Sequence, residues 1–120
     1  KVNWWCSMTT PNTVLNIQQL RDNAAAAGQL LKALANRERL LLLCQLSQGE
    51  LNVSELEALL GIGQLTLSQQ LAVLRREELV ETRREGKQIY YRISSPAALA
   101  VIKTLYQQFC EEAVYEESVQ

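Results

Sequence analysis

The sequence predicts a mainly α fold with a small β-hairpin. Three observations carry this. Apolar residues recur at steps of three and four over successive segments between Leu20 and Leu74. A break at Gly61 and Gly63 separates the last two of these segments. The period then switches to alternation from Val80 to Ile93 and turns helical again after Pro96. Two short helices joined by a glycine-containing turn are the mark of a helix-turn-helix. A hairpin directly behind them is a wing, so the expected architecture is a winged helix-turn-helix of about five helices plus a two-stranded wing.

Each element has a local reason. Leu20, Ala24, Ala27, Leu31 and Leu34 form the stripe of a first helix, which at about 20 residues would be about 30 Å long. Its alanines permit close helix approach, which places it in a core or a subunit interface. Asn36 can cap a second helix carrying Leu40 to Leu43, Cys44 and Leu46. That helix is apolar most of the way round, hence deeply buried, and ends at Gly49. Asn52 followed by Glu55 fits a capping box and opens a third helix with Val53, Leu56, Leu59 and Leu60, stopped at Gly61. The fourth helix runs from about Gln64 to Glu78 with Leu67, Leu71 and Leu74 inward. Val80 to Arg84 and Gln88 to Ile93 read as strands around a turn at Glu85-Gly86-Lys87, where Gly86 supplies the positive φ. Ser95-Pro96 is a cap with proline at the first helical position, and the last helix shows Leu99, Ile102, Tyr106, Phe109 and Ala113.

The chain of 120 residues suits one domain, and its 48% hydrophobic and 21% charged residues are ordinary for a globular protein. No apolar run approaches the roughly 18 residues of a membrane span, and no secretory pattern precedes the helices. A cytoplasmic protein without membrane contact is expected. Residues 1–14 read as a flexible N-terminal segment. Within it, residues 1–7 precede Met8, the only methionine. They read as a remnant foreign to the native chain, which would leave Cys6 without a role; the alternative is an aromatic arm built on Trp4 and Trp5. Residues 15–117 read as the winged helix-turn-helix domain.

A net charge of −1 speaks by itself against a nucleic-acid binder, but the charge is polarised along the chain. Arg75, Arg76, Arg83, Arg84, Lys87 and Arg92 crowd one stretch among Glu77, Glu78, Glu81 and Glu85, whereas Glu111, Glu112, Glu116 and Glu117 make the tail acidic. A local basic edge can still meet phosphates. The chain has no histidine, which removes the commonest general base and metal ligand. An enzyme is not expected, nor a cofactor.

Four stretches carry a family resemblance: Leu30-Leu31-Lys32-Ala33-Leu34-Ala35-Asn36-Arg37-Glu38-Arg39-Leu40, Glu50-Leu51-Asn52-Val53-Ser54-Glu55-Leu56, Thr66-Leu67-Ser68-Gln69-Gln70-Leu71 and Gln88-Ile89-Tyr90-Tyr91-Arg92. Loose individually, they are specific in this order and spacing. From about Leu15 to Cys110 the chain resembles the ArsR/SmtB group of bacterial winged-helix repressors. The resemblance implies a homodimer held by the first and last helices on a two-fold symmetric duplex DNA operator. Metal-sensing members carry a Cys-Val-Cys triplet where this chain has Asn52-Val53-Ser54, and a second family site uses histidines on the last helix. Metal sensing is therefore not expected. Cys44 and Cys110 resemble instead the pair of the BigR/SqrR-type sulfide- and persulfide-responsive subgroup. There, the matching cysteines join in a reversible disulfide or polysulfide bridge that weakens operator binding, with reactive sulfur species as inducer.

The recognition helix presents Gln64, Thr66, Ser68, Gln69 and Gln70, which can bond base edges or phosphates in the major groove or merely solvate an exposed face. Gln64, Ser68 and Gln69 are the first choices for base contact. Arg83, Arg84, Lys87 and the adjoining Gln88 sit near the hairpin tip, where they suit phosphate or minor-groove contact and also guard a sheet edge. Arg75 and Arg76 either touch the DNA backbone or pair with Glu78 or Glu81. On residue type alone, Cys44 and Cys110 are small buried hydrophobes on apolar helix faces; the resemblance makes them a redox pair. A structural disulfide is rare in the cytosol, so a bridge there would be regulatory. A repressor with inert cysteines, answering another signal or a peroxide-type oxidant, is the alternative.

Overall fold

The computed structural model describes residues 16–111. The readings of residues 1–14 and 1–7, and of Ala113 on the last helix, lie outside the described residues. In chain order the elements are α1 (Ile17–Leu34), α2 (Arg37–Leu46), β1 (Leu51–Asn52), α3 (Val53–Leu60), α4 (Gln64–Arg76), β2 (Val80–Glu85), β3 (Gln88–Ile93) and α5 (Pro96–Tyr106). A π-helical turn over Gln107–Glu111 continues α5. This is the expected winged helix-turn-helix, with one strand more.

The additional strand, β1, pairs antiparallel with β3 through Leu51↔Tyr91 and Asn52↔Tyr90, giving the sheet order β1-β3-β2. Two residues have no readable period, so β1 is invisible to pattern analysis. Its effect is to tie the wing to the helical body. In the hairpin Glu85 belongs to β2 and pairs with Gln88, so the turn is Gly86-Lys87 rather than the three residues expected, with Gly86 at φ 64.

The core gathers Leu42, Leu43 and Leu46 of α2, Leu56 of α3, Leu67, Leu71 and Leu74 of α4, and Ala98 and Ile102 of α5. Side-chain caps fix where α2, α3 and α5 begin, whereas α4 starts after Gly63 without one. The Asn36 side chain accepts from the Arg39 N–H at 3.1 Å, and Ser95 Oγ accepts from the Ala98 N–H at 3.1 Å. At Asn52 both arms of the capping box are present: its side chain accepts from the Glu55 N–H at 2.8 Å, while its own N–H donates to Glu55 Oε1 at 2.9 Å.

Three expectations shift. Of the α1 stripe only Leu34 is buried, with its neighbour Ala33; Leu20, Ala24, Ala27 and Leu31 are exposed, so the core is not their place within one chain. Leu59 and Phe109 likewise face outward, Phe109 at 76% exposure. Third, α4 ends at Arg76, short of Glu78. The Leu79 N–H donates to the Leu74 carbonyl at 2.9 Å and the Glu78 N–H to the Arg75 carbonyl at 3.0 Å, the bonding of a Schellman turn. Glu78 takes the left-handed position at φ 61, normally reserved for glycine. That turn directs Leu79 and Val80 into the core and so launches the wing. Among the described residues, no helix is long and apolar enough to cross a membrane, and no three His, Cys, Asp or Glu side chains gather as a metal site.

Candidate nucleic-acid interface and cysteine pair

Helix α4 divides cleanly into two faces. Leu67, Leu71 and Leu74 are buried, while Gln64, Leu65, Ser68, Gln69 and Ala72 are exposed. Gln64, Ser68 and Gln69 thus stand together on the open side of the helix, as expected. Thr66 and Gln70 are half-buried at its margins. Gln70 has a specific partner: Arg39 Nη1 donates to its Oε1 at 2.8 Å, and Arg39 Nε donates to the Ala33 carbonyl at 2.5 Å. Arg39 thereby satisfies a carbonyl at the end of α1 and holds α4 against it. Sequence reasoning missed this link, which joins residues 31 positions apart without any local signal.

The wing separates its cations in the same way. Arg83 is gripped by two carboxylates: Nε lies 3.1 Å from both Glu50 oxygens, Nη2 2.7 Å from Glu50 Oε1, and Nη1 2.6 Å from Glu85 Oε1. Its guanidinium also lies 4.9 Å from the centre of the Tyr90 ring. The Arg83 bond holds the Glu50 carboxyl below its ordinary range, and Glu50 and Glu85 in turn push the guanidinium further up. Arg92 pairs with Glu81. Arg84 and Lys87 are exposed and pair with no carboxylate among the described residues; Arg84 Nε reaches only the Gly86 carbonyl at 3.3 Å. Gln88 is exposed beside them. Arg76 pairs with Glu77 at 3.6 Å, rather than with Glu78 or Glu81, and Arg75 is exposed.

Cys44 and Cys110 are free thiols on neighbouring elements, Cys44 half-buried on α2 and Cys110 exposed on the π turn that extends α5. Helices α2 and α5 pack together. Burial pushes the Cys44 thiol up from its ordinary value, and the charge of Cys110 acts in the same direction. Asn52, in the triplet that replaces a thiolate motif, is 8% exposed and committed to its capping box and to β1.

A helix-turn-helix with an exposed polar recognition face and a cationic wing defines the class: a winged-helix DNA-binding regulator. Residues 36–82 match the profile of the bacterial regulatory protein, arsR family. The chain is 52% identical over 91 residues to the biofilm growth-associated repressor of Agrobacterium fabrum, covering 76% of this chain and 78% of that one. It is 44% identical to the transcriptional activator HlyU of Vibrio cholerae, over 81% of this chain and 90% of that one. The crystal structure of the transcriptional repressor BigR from Xylella fastidiosa superposes with a TM-score of 0.74 at 46% identity, over 80% of this chain and 98% of that one. The chain belongs to the arsR family and is a transcriptional regulator of the BigR type, not an enzyme.

Proposed function

We propose that the protein is a homodimeric repressor that binds a duplex operator and releases it when reactive sulfur joins Cys44 to Cys110. The DNA half of this reading rests on one observation above all: α4 turns Gln64, Ser68 and Gln69 to solvent on the same side that its buried leucines leave free. Glutamine bonds adenine in bidentate fashion, and serine bonds bases or phosphates. Thr66 and Gln70 flank them, and Arg84 and Lys87 supply cations for phosphate. Arg83 contributes through its hold on Glu50, which keeps the wing beside β1.

Dimerisation is supported by what one chain leaves uncovered. Ile17, Leu20 and Leu31 on α1, and Tyr106 and Phe109 at the end of α5, are exposed apolar side chains. An isolated helix of this length is marginal in water and needs an apolar partner for its stripe. A two-fold partner across α1 and α5 would supply it. Sedimentation at twice the 13.6 kDa chain mass is expected.

The sensing step balances without further reagents. The accessible Cys110 thiolate attacks the terminal sulfur of a low-molecular-weight persulfide, forming Cys110–S–SH and expelling a thiolate. The Cys44 thiolate then attacks the inner sulfur of Cys110, forming the disulfide and releasing HS⁻. If both residues carry an added sulfur before they join, the bridge retains one more sulfur atom. Either bridge ties α2 to the extension of α5, beside the proposed dimer seam. A change there alters the spacing of two recognition helices that must meet grooves about 34 Å apart. A coupling of about 1–3 kcal/mol gives about 5–150-fold derepression.

The half-burial and raised pKa of Cys44 favour a second reading, in which both thiols are inert and another signal acts. Fluorescence anisotropy on DNA from upstream of the protein's own gene separates the two. Tight binding by reduced protein, lost on persulfide treatment and restored by reductant, is expected. Cys44→Ser and Cys110→Ser should bind but ignore the inducer. Normal release by both variants would exclude the bridge.

A further inference from the structure

One apolar side chain sits where the recognition face should be polar. Leu65, the second residue of α4, is 73% exposed. It lies about 200° around the helix from Leu67, on the same side as Ser68, Gln69 and Ala72 at its i+3, i+4 and i+7 positions. No core neighbour accounts for it, since the buried apolar residues of α4 are Leu67, Leu71 and Leu74 on the opposite face. A single exposed leucine is ordinary on a protein surface, but this one stands among Gln64, Ser68 and Gln69 on the face proposed to meet base edges, where an apolar side chain selects an apolar partner. In a major groove the apolar feature among the base edges is the C5-methyl group of thymine.

We infer that Leu65 is a specificity-determining residue that packs on a thymine methyl group in each half-site of the operator. The inference rests on the reading of α4 as the recognition helix. It adds apolar selection for thymine to the polar selection made by Gln64, Ser68 and Gln69. It also locates that thymine: Leu65 stands one turn N-terminal to Ser68 and Gln69, so the methyl group lies next to the bases those residues reach.

The test replaces thymine by deoxyuracil, one position at a time, in the footprinted duplex from upstream of the protein's own gene. The exchange removes a methyl group and leaves every hydrogen-bonding group in place. Reduced full-length protein should lose about fourfold in affinity at one thymine per half-site, and about 15-fold when both half-sites are changed, the worth of one buried methyl per site. Leu65→Ala should bind the thymine duplex more weakly by a similar factor and lose nothing further on deoxyuracil exchange at those positions. Its salt dependence and thermal unfolding should match the parent's, because Leu65 makes no core contact. Equal deoxyuracil losses in parent and Leu65→Ala, or no loss at any thymine in a parent that still binds, would overturn the assignment while leaving DNA binding intact. A parent that binds no duplex would overturn both.

Discussion

The division of the wing cations into tied and free ones makes a quantitative prediction about salt. Arg83 is enclosed by Glu50 and Glu85, a cluster whose net charge is negative, whereas Arg84 and Lys87 project from the hairpin without a carboxylate partner among the described residues. Only a cation that releases a counterion from DNA contributes to the salt slope, about 0.9 per phosphate contact. In a dimer with two wings, Arg84→Gln should therefore flatten the plot of log K against log salt by about 1.8. Between 50 and 200 mM salt that amounts to about 12-fold of the affinity loss suffered by the parent. Adding Lys87→Gln should remove about 3.6 units, or about 150-fold over the same range.

Arg83→Gln should behave differently. Its charge is already compensated by two carboxylates, so the slope should change by less than about 0.5. Affinity should still fall at every salt concentration, because the wing loses its tie to Glu50 and its stacking on Tyr90. Anisotropy titrations at five salt concentrations with one operator duplex read both quantities. If Arg83→Gln flattens the slope by about 1.8 while Arg84→Gln leaves it unchanged, the carboxylates yield to phosphate on binding and the assignment of roles is reversed.

Three further outcomes are expected. Asn52→Ala removes the cap of α3 and leaves the Glu55 N–H unpaired, so stability should fall by about 1–2 kcal/mol and Tm by about 5–10 °C; a loss below about 0.3 kcal/mol in urea titration would show the box to be idle. Glu78→Gly relieves a left-handed residue, a gain of about 1 kcal/mol, against about 0.5 kcal/mol of added unfolded-state entropy. Tm should thus rise by about 2–4 °C at fixed protein concentration, and a fall would mean that the Glu78 side chain has a stabilising role. For the cysteines, only thiolate attacks, and burial raises the Cys44 pKa, so bridge closure should keep accelerating as pH rises through the ordinary thiol value. Quenched alkylation and mass spectrometry follow it; a plateau by about pH 8 would mean that an ordinary or activated thiol sets the rate.

Periodicity carried most of the fold because α3, α4 and α5 are amphipathic and side-chain caps mark the starts of α2, α3 and α5. Asn36, Asn52 and Ser95 all cap helices as their residue types suggest, and Leu67, Leu71 and Leu74 all face inward. What was not legible is either too short or too distant. β1 exists because β3 offers it an edge, a property of Tyr90 and Tyr91 rather than of Leu51 and Asn52. The early end of α4 depends on a glutamate accepting a conformation that its residue type disfavours, which no propensity scale anticipates.

The site shows the same limit more sharply. Residue type and position marked Gln70 and Arg83 as groups free to meet DNA, since both are polar and lie on the right elements. Both are engaged in the chain itself by partners more than 30 positions away in sequence, Gln70 by Arg39 at 2.8 Å and Arg83 by Glu50 at 2.7 Å. A polar side chain beside a groove can serve the interface or hold the scaffold that presents it, and residue type alone does not tell the two apart. Leu65 is the converse case. It lies out of phase with Leu67, Leu71 and Leu74, so the sequence itself marks it as an apolar group on the wrong side of an amphipathic helix. The inward phase of a recognition helix builds the fold. Residues that break this phase belong to whatever the helix is turned toward, and on α4 that is the open face shared by Gln64, Ser68 and Gln69.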